Sequence, residues 1–172
     1  MLKLAGAMCV IFAGTMLGFY QALQLSTRTR QIRQVMQGLG RLETEITYSF
    51  TPLSQALRQV ADTLSGPVAH LFLRTAEALE EKETATVQES WRLAVEECWS
   101  RTAMKRPERD AVLQLGAVLG KSDRSDQAKH LRMTISLLTA EEAEAAEENR
   151  RYGKMWRSLG LLSGVLVVIL MY

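Results

Sequence analysis

GAVLGKSDRSDQAKHL, residues 116–131, is the stretch whose reading decides the fold. Glycines followed by Lys121 and Ser122 are the letters of a phosphate-binding loop, which would make the chain an α/β nucleotide-binding protein. Such a loop has four residues between its first glycine and its GK[ST], whereas Gly116 and Gly120-Lys121-Ser122 enclose three. It must also follow a buried parallel strand, so that backbone N–H groups can cradle the phosphates. Upstream, Arg106-Pro107 instead opens a helical pattern through Ala111, Val112, Leu115, Val118 and Leu119. No acidic residue at the end of an apolar strand offers a magnesium ligand. The stretch therefore reads as a helix–helix corner. Gly120 is expected to end one helix in left-handed conformation, with Lys121 beside its negative end. Ser122 or Asp123 is expected to cap the next, with Asp126 near its positive end.

Outward from the corner, helical spacing continues in both directions. From Thr27 the apolar residues Ile32, Val35, Met36, Leu39, Leu42 and Ile46 recur at three- and four-residue steps. Gly38 and Gly40 interrupt that helix, each costing about 1 kcal/mol relative to Ala. Thr51-Pro52 reads as an N-cap with proline at the first helical position of a second helix, carrying Leu53, Ala56, Leu57, Val60, Ala61 and Leu64. Ser65-Gly66-Pro67 ends it and starts a third, with Val68, Leu71, Phe72 and Leu79 inward. Thr86-x-x-Glu89 spells a capping box for a fourth, with Val87, Trp91, Ala94, Val95 and Cys98. The sixth runs from about Ser125 through Leu131, Ile135 and Leu138 into Glu141, Glu142, Glu144, Glu147 and Glu148. Its run EEAEAAEENRRYGK predicts a solvated face with local i,i+3 and i,i+4 ion pairs. Nothing breaks its pattern before Gly153, and no alternating strand pattern occurs anywhere. The fold class is all-α, a bundle of about six helices.

Both ends are apolar. Leu4–Leu23 holds no charge, and about 20 helical residues span roughly the 30 Å of a hydrocarbon core. Ser158–Tyr172 is also uncharged but short for a span. Lys3 supplies a weak n-region for a signal peptide, yet YQALQLSTRTR continues into arginines with no small-x-small cleavage site, so a retained anchor is expected. Arg28, Arg30 and Arg33 flank the first apolar stretch on its inner side, and Arg150, Arg151, Lys154 and Arg157 flank the second. Only Lys3 and the α-amine stand outside, which places the middle of the chain in the cytoplasm. The expected layout is an N-terminal transmembrane helix over residues 1–25, a cytoplasmic helical bundle over 26–152, and a C-terminal transmembrane helix over 153–172.

A net charge of +2 gives no argument for nucleic acid. Cys9 and Cys98 fall in different parts of this layout, so no disulfide is expected. His70 and His130 have no second His or Cys at ligand spacing, so no metal site is expected. No nucleophile–base pair is evident, and the expectation is a protein that is not an enzyme, with no cofactor and no small-molecule substrate. Gly14-x-x-x-Gly18 and Gly160-x-x-x-Gly164 permit close helix packing, between the two apolar segments or with other subunits.

Three separated motifs carry a family resemblance: RQIRQVMQGLGRLETEITYSFTPLSQAL (30–57), LGKSDRSDQAKHL (119–131) and ENRRYGKMWRSLGLLSGVLVVILMY (148–172). Together, and in this order, they resemble stage III sporulation protein AB of endospore-forming bacteria over essentially the whole chain. The family pattern usually has glutamate where Ser125 stands, which weakens a capping box from Ser122 and leaves Asp123, Asp126 and Gln127 in place. The resemblance implies a mother-cell membrane protein of the channel complex joining mother cell to forespore. It further implies a soluble domain similar to the cytoplasmic domain of the type II secretion F platform protein. The partners it implies are a cytoplasmic secretion-type ATPase (stage III sporulation protein AA) and the channel's other membrane subunits. A packing subunit without ATPase contact and a two-span helical sensor are the alternatives, the sensor requiring the basic flanks on the opposite side.

Glu43, Glu45 and Tyr48, within LETEITYSFTPL, together with Asp123 and Gln127 at the corner, form the candidate partner surface. For any single residue the alternative is a solvated helix face or a helix cap. The basic flanks should attract anionic lipid at about 1 kcal/mol each near the surface.

Overall fold

A computed structural model describes residues 2–49, 51–81, 86–120 and 123–171. The order is α1 (Leu2–Thr44), a π-helical turn (Glu45–Ser49), α2 (Leu53–Asp62), α3 (Gly66–Glu81), α4 (Val87–Trp99), α5 (Arg106–Gly116) and α6 (Arg124–Met171). Among the described residues there are six α-helices and no strand, so the chain is all-α as its periodicity predicts. The apolar stretches at the two ends lie in α1 and α6. Most of their side chains, Gly14, Gly160, Gly164, Lys154 and Arg157 included, lie outside the described residues. Among the described residues no helix is long and apolar enough to cross a membrane.

The chain divides into two compact units, one of Met1–Thr29 with Glu144–Tyr172 and one of Arg30–Ala143. In the first, Arg28 is buried and its Nη1 donates to Glu148 Oε2 at 2.7 Å. Small residues take buried positions there: Gly18 and Ala22 on α1, Ala145 and Gly153 on α6.

The larger unit is built around Trp91 of α4, whose Nε1 donates to Val112 O of α5 at 2.7 Å. Phe72 of α3 meets the indole edge-on, centroids 5.8 Å apart. Two helical glycines make this packing possible. A Cβ at Gly38 would sit 2.8 Å from the Phe72 ring, and one at Gly116 would sit 2.4 Å from Trp91 Cδ1. Their helix-propensity cost of about 1 kcal/mol each is thus offset by aromatic packing. Gly40 has nothing within 4 Å and carries the cost alone.

Helix ends follow local chemistry, with corrections. The Thr86–Glu89 capping box forms in both directions. Gly66 turns between α2 and α3 at φ 66°. Pro52 occupies the N-cap of α2 rather than its first helical position, and Thr51 Oγ1 donates to Ser49 O at 3.4 Å instead of capping. α5 ends at Gly116, not Leu119. Ala117 and Val118 make i→i−3 bonds to Gln114 O and Leu115 O, a turn that Gly120 completes at φ 80°. α1 is longer than the soluble periodicity predicts, running unbroken from the apolar N-terminal end, and α6 continues past Gly153 into the C-terminal apolar segment, as its unbroken pattern predicts.

Candidate partner-binding face

The corner between α5 and α6 turns at Gly120, φ 80°. A Cβ at Gly120 would meet Val87 Cγ2 at 2.5 Å, and the positive φ also favours glycine. Asp123 is the cap: its Oδ1 accepts from Asp126 N–H at 2.8 Å, and its carbonyl accepts from Gln127 N–H at 2.9 Å. Lys121 and Ser122 lie outside the described residues. With α-helices on both sides of the corner, the strand that a phosphate loop requires does not precede it.

Against this corner lies the turn that ends α1. Glu45–Ser49 winds as a π-helix with no buried residue, and π-helical turns recur at functional sites. Thr47 Oγ1 donates to Glu43 O at 2.7 Å, and Tyr48 projects with 76 % of its surface exposed. Between turn and corner is an open hollow of about 700 Å³ lined by Thr47, Asp123, Arg124, Ser125, Asp126, Ala128, Lys129 and Arg132.

Arg132 joins the two sides. Its Nε donates to Glu43 Oε1 at 2.6 Å, and this hydrogen bond, with the Glu43 charge and a smaller contribution from Tyr48, raises the guanidinium pKa. Of the sequence-predicted surface, Glu43, Tyr48 and Asp123 therefore converge around Arg132. Glu45 and Gln127 are half-buried in the two flanking segments. Sequence reasoning missed Thr47, Lys129 and Arg132. The available signal was the helical spacing of 125, 128, 129 and 132, which puts them on the face that Asp123 begins.

His130 Nε2 lies 3.9 Å from Asp126 Oδ1, beyond hydrogen-bond distance. Among the described residues no group of His, Cys, Asp and Glu could hold a metal. Cys98 is buried, and burial pushes its thiol pKa up, away from a reactive thiolate.

The basic and acidic residues near the apolar ends are more engaged than their sequence positions imply. Arg33 pairs with Glu142 at 2.6 Å, Arg28 with Glu148, and Arg150 with Glu147 at 2.7 Å. The acidic run of α6 pairs both ways: Glu147 makes the expected i,i+3 pair with Arg150, while Glu142 and Glu148 reach α1. Arg30 is exposed, and Arg151 lies 5.5 Å from the Tyr152 ring centroid.

The described residues are all-helical, with long first and last helices and a polar corner at the start of α6. The family model described as stage III sporulation protein AB matches residues 3–172, and the chain belongs to that family. It is 37 % identical over 171 residues to stage III sporulation protein AB of Bacillus subtilis (strain 168), covering 99 % of each chain. A solved structure of a stage III sporulation protein AB superposes with a TM-score of 0.68 at 34 % identity, over 72 % of this chain and 96 % of that one. The role of the chain is accordingly in sporulation.

Proposed function

We propose that this chain is a non-enzymatic platform component of the channel between mother cell and forespore. Its apolar ends, Leu4–Leu23 and Ser158–Tyr172, anchor it in the mother-cell membrane with both termini outward, and its helical bundle lies in the cytoplasm. The bundle couples a cytoplasmic secretion-type ATPase to the channel's membrane subunits. The observation that carries this reading is the corner face: an unburied π-helical turn presenting Tyr48 beside a capped helix start. Exposed tyrosine on a fixed turn is a typical anchor for a protein partner.

The test is co-purification of the full-length protein, in mild detergent, with the ATPase of its own operon. Asp123 caps α6 and Glu43 holds Arg132, so substituting either disturbs the fold as well as the surface. Tyr48→Arg changes the surface alone. Binding by wild type and loss in Tyr48→Arg, with an unchanged circular dichroism spectrum, supports the platform and maps its face. Binding by both moves the face elsewhere. Failure of wild type to bind, with nucleotide present, removes direct coupling and leaves a packing subunit.

A further inference from the structure

We infer that the hollow between the π-helical turn and α6 receives an acidic side chain of a protein partner, held between Lys129 and Arg132. The inference rests on the partner-binding face proposed above and names the chemistry that this face accepts. Three cations line the hollow, Arg124, Lys129 and Arg132, against two carboxylates, Asp123 and Asp126. The carboxylates serve their own chain. Asp123 Oδ1 accepts the Asp126 N–H at 2.8 Å, and Asp126 Oδ1 lies 3.9 Å from His130 Nε2. Both stand at the start of α6, whereas Lys129 and Arg132 lie farther along it.

Arg132 is already oriented for this task. Its Nε donates to Glu43 Oε1 at 2.6 Å, which fixes the plane of the guanidinium. The pair is lopsided: the Glu43 side chain is 23 % exposed and that of Arg132 is 67 % exposed. It therefore turns its anion inward and its cation outward. With Nε committed to Glu43, the Nη1–Nη2 edge of the planar fork remains for a second carboxylate. Lys129 lies three residues earlier on the same side of the helix and is exposed. Among the described residues it makes no ion pair. Ser125, four residues before Lys129, adds an exposed hydroxyl to that side.

The surroundings suit a side chain delivered on a protein segment. The open hollow, at about 700 Å³, has room for a short stretch of chain and not only for one carboxylate. Tyr48, 76 % exposed on the adjoining turn, offers such a stretch an apolar ring and a hydroxyl. It is near enough to Arg132 to act on its charge. Opposite charge steers an acidic segment toward the two cations, and like charge disfavours a basic one. The roles then divide: Lys129 and Arg132 act mainly on the rate of arrival, and Tyr48 on the time spent bound.

The test uses the full-length protein in mild detergent with the ATPase of its own operon, treated with a water-soluble carbodiimide. This reagent joins an amine to a carboxylate in direct contact with it, with loss of water. Mass spectrometry should find an isopeptide bond from Lys129 Nζ to an aspartate or glutamate of the ATPase. The bond should be absent in Lys129→Arg, which keeps the charge and the complex. Lys129→Gln alters an exposed side chain and should slow association about fivefold at low salt, with dissociation nearly unchanged and wild-type behaviour at high salt. A complex that forms with no cross-link from Lys129 overturns the acidic segment and leaves the platform standing. Association of Lys129→Gln as fast as wild type at low salt overturns it as well. Wild type that forms no complex, with nucleotide present, overturns both.

Discussion

Replacing Gly116 with alanine should be the most damaging single methyl addition in the core. The new Cβ would lie 2.4 Å from Trp91 Cδ1 and 2.9 Å from Cγ. Carbon atoms rest comfortably at about 3.5–4.0 Å, so the indole must retreat by about 1 Å. It has little room: Trp91 is 1 % exposed and stands edge-on to Phe72. A shift of that size takes the 2.7 Å Nε1–Val112 hydrogen bond beyond useful range. Overpacking costs about 1–3 kcal/mol. A stranded buried donor costs about 1–3 kcal/mol more. The better helix propensity of alanine offsets up to about 1 kcal/mol. The net is about 3 kcal/mol, and at about 2–4 °C per kcal/mol for a chain of this size the melting temperature falls by about 6–12 °C. The assay is thermal unfolding in mild detergent, followed by near-ultraviolet circular dichroism of the tryptophans. Gly40→Ala is the matched control: with nothing within 4 Å it should be stabilising by about 0.4–1 kcal/mol. If Gly116→Ala melts with wild type, or the two variants shift alike, the close-approach reasoning is wrong.

Three further outcomes follow from local geometry. Thr86→Ala removes the hydroxyl that accepts the Glu89 N–H, and should destabilise by about 1 kcal/mol in the same melt; no shift would mean the box is idle. Glu80 is held below the usual carboxylate range by hydrogen bonds from Arg58, whose Nε donates at 3.1 Å. A depressed carboxylate stabilises the fold above its unfolded pKa and loses that contribution as pH falls through the folded value. NMR titration should find the Glu80 midpoint below normal, and Arg58→Gln should return it; a midpoint indifferent to Arg58 would sink the assignment. Cys98, its thiol pKa raised by burial and then by the Glu97 charge, should react with iodoacetamide more slowly in the native protein than after denaturation. Equal rates by peptide mapping would contradict its burial.

Where an element is decided by neighbours in the chain, the sequence reading holds. The Thr86–Glu89 box and the Asp123 cap depend on contacts within about four residues, and each is present. Where a distant side chain decides, it fails. Val118 and Leu119 keep helical spacing, but α5 has already ended at Gly116, where Trp91 packs against the backbone. Ile46 has the spacing of a core residue, yet it belongs to the π-helical turn and is half-buried. At the candidate face, the members nearest a turn or cap were legible. Arg132 was not, because its role is set by Glu43, far away in sequence.

The same ion pairs explain why the charges of α1 and α6 resist assignment from sequence alone. In the larger unit, Arg33 meets Glu142 and Glu43 meets Arg132. Ten residues forward on α1 are ten residues backward on α6, the signature of two antiparallel helices, and Thr139 Oγ1 reaches Met36 Sδ at 3.5 Å between them. Along α1 the order is cation then anion, and along α6 it is also cation then anion. Only an antiparallel alignment brings opposite charges together. A parallel one would set Arg33 near Arg132 and Glu43 near Glu142, and like charges held close disfavour that alternative. Arg33 and Arg132 are 60 % and 67 % exposed, so solvent screens both pairs and each contributes little to stability. Their main effect is to specify direction and register while the buried face of Leu131 and Leu138 supplies the stability. In the other unit Arg28 and Glu148 keep the same sense, cation on α1 and anion on α6. Charges used in this way leave less to offer a partner or a lipid. Tyr48 on its turn stands outside that helix pairing, its ring exposed.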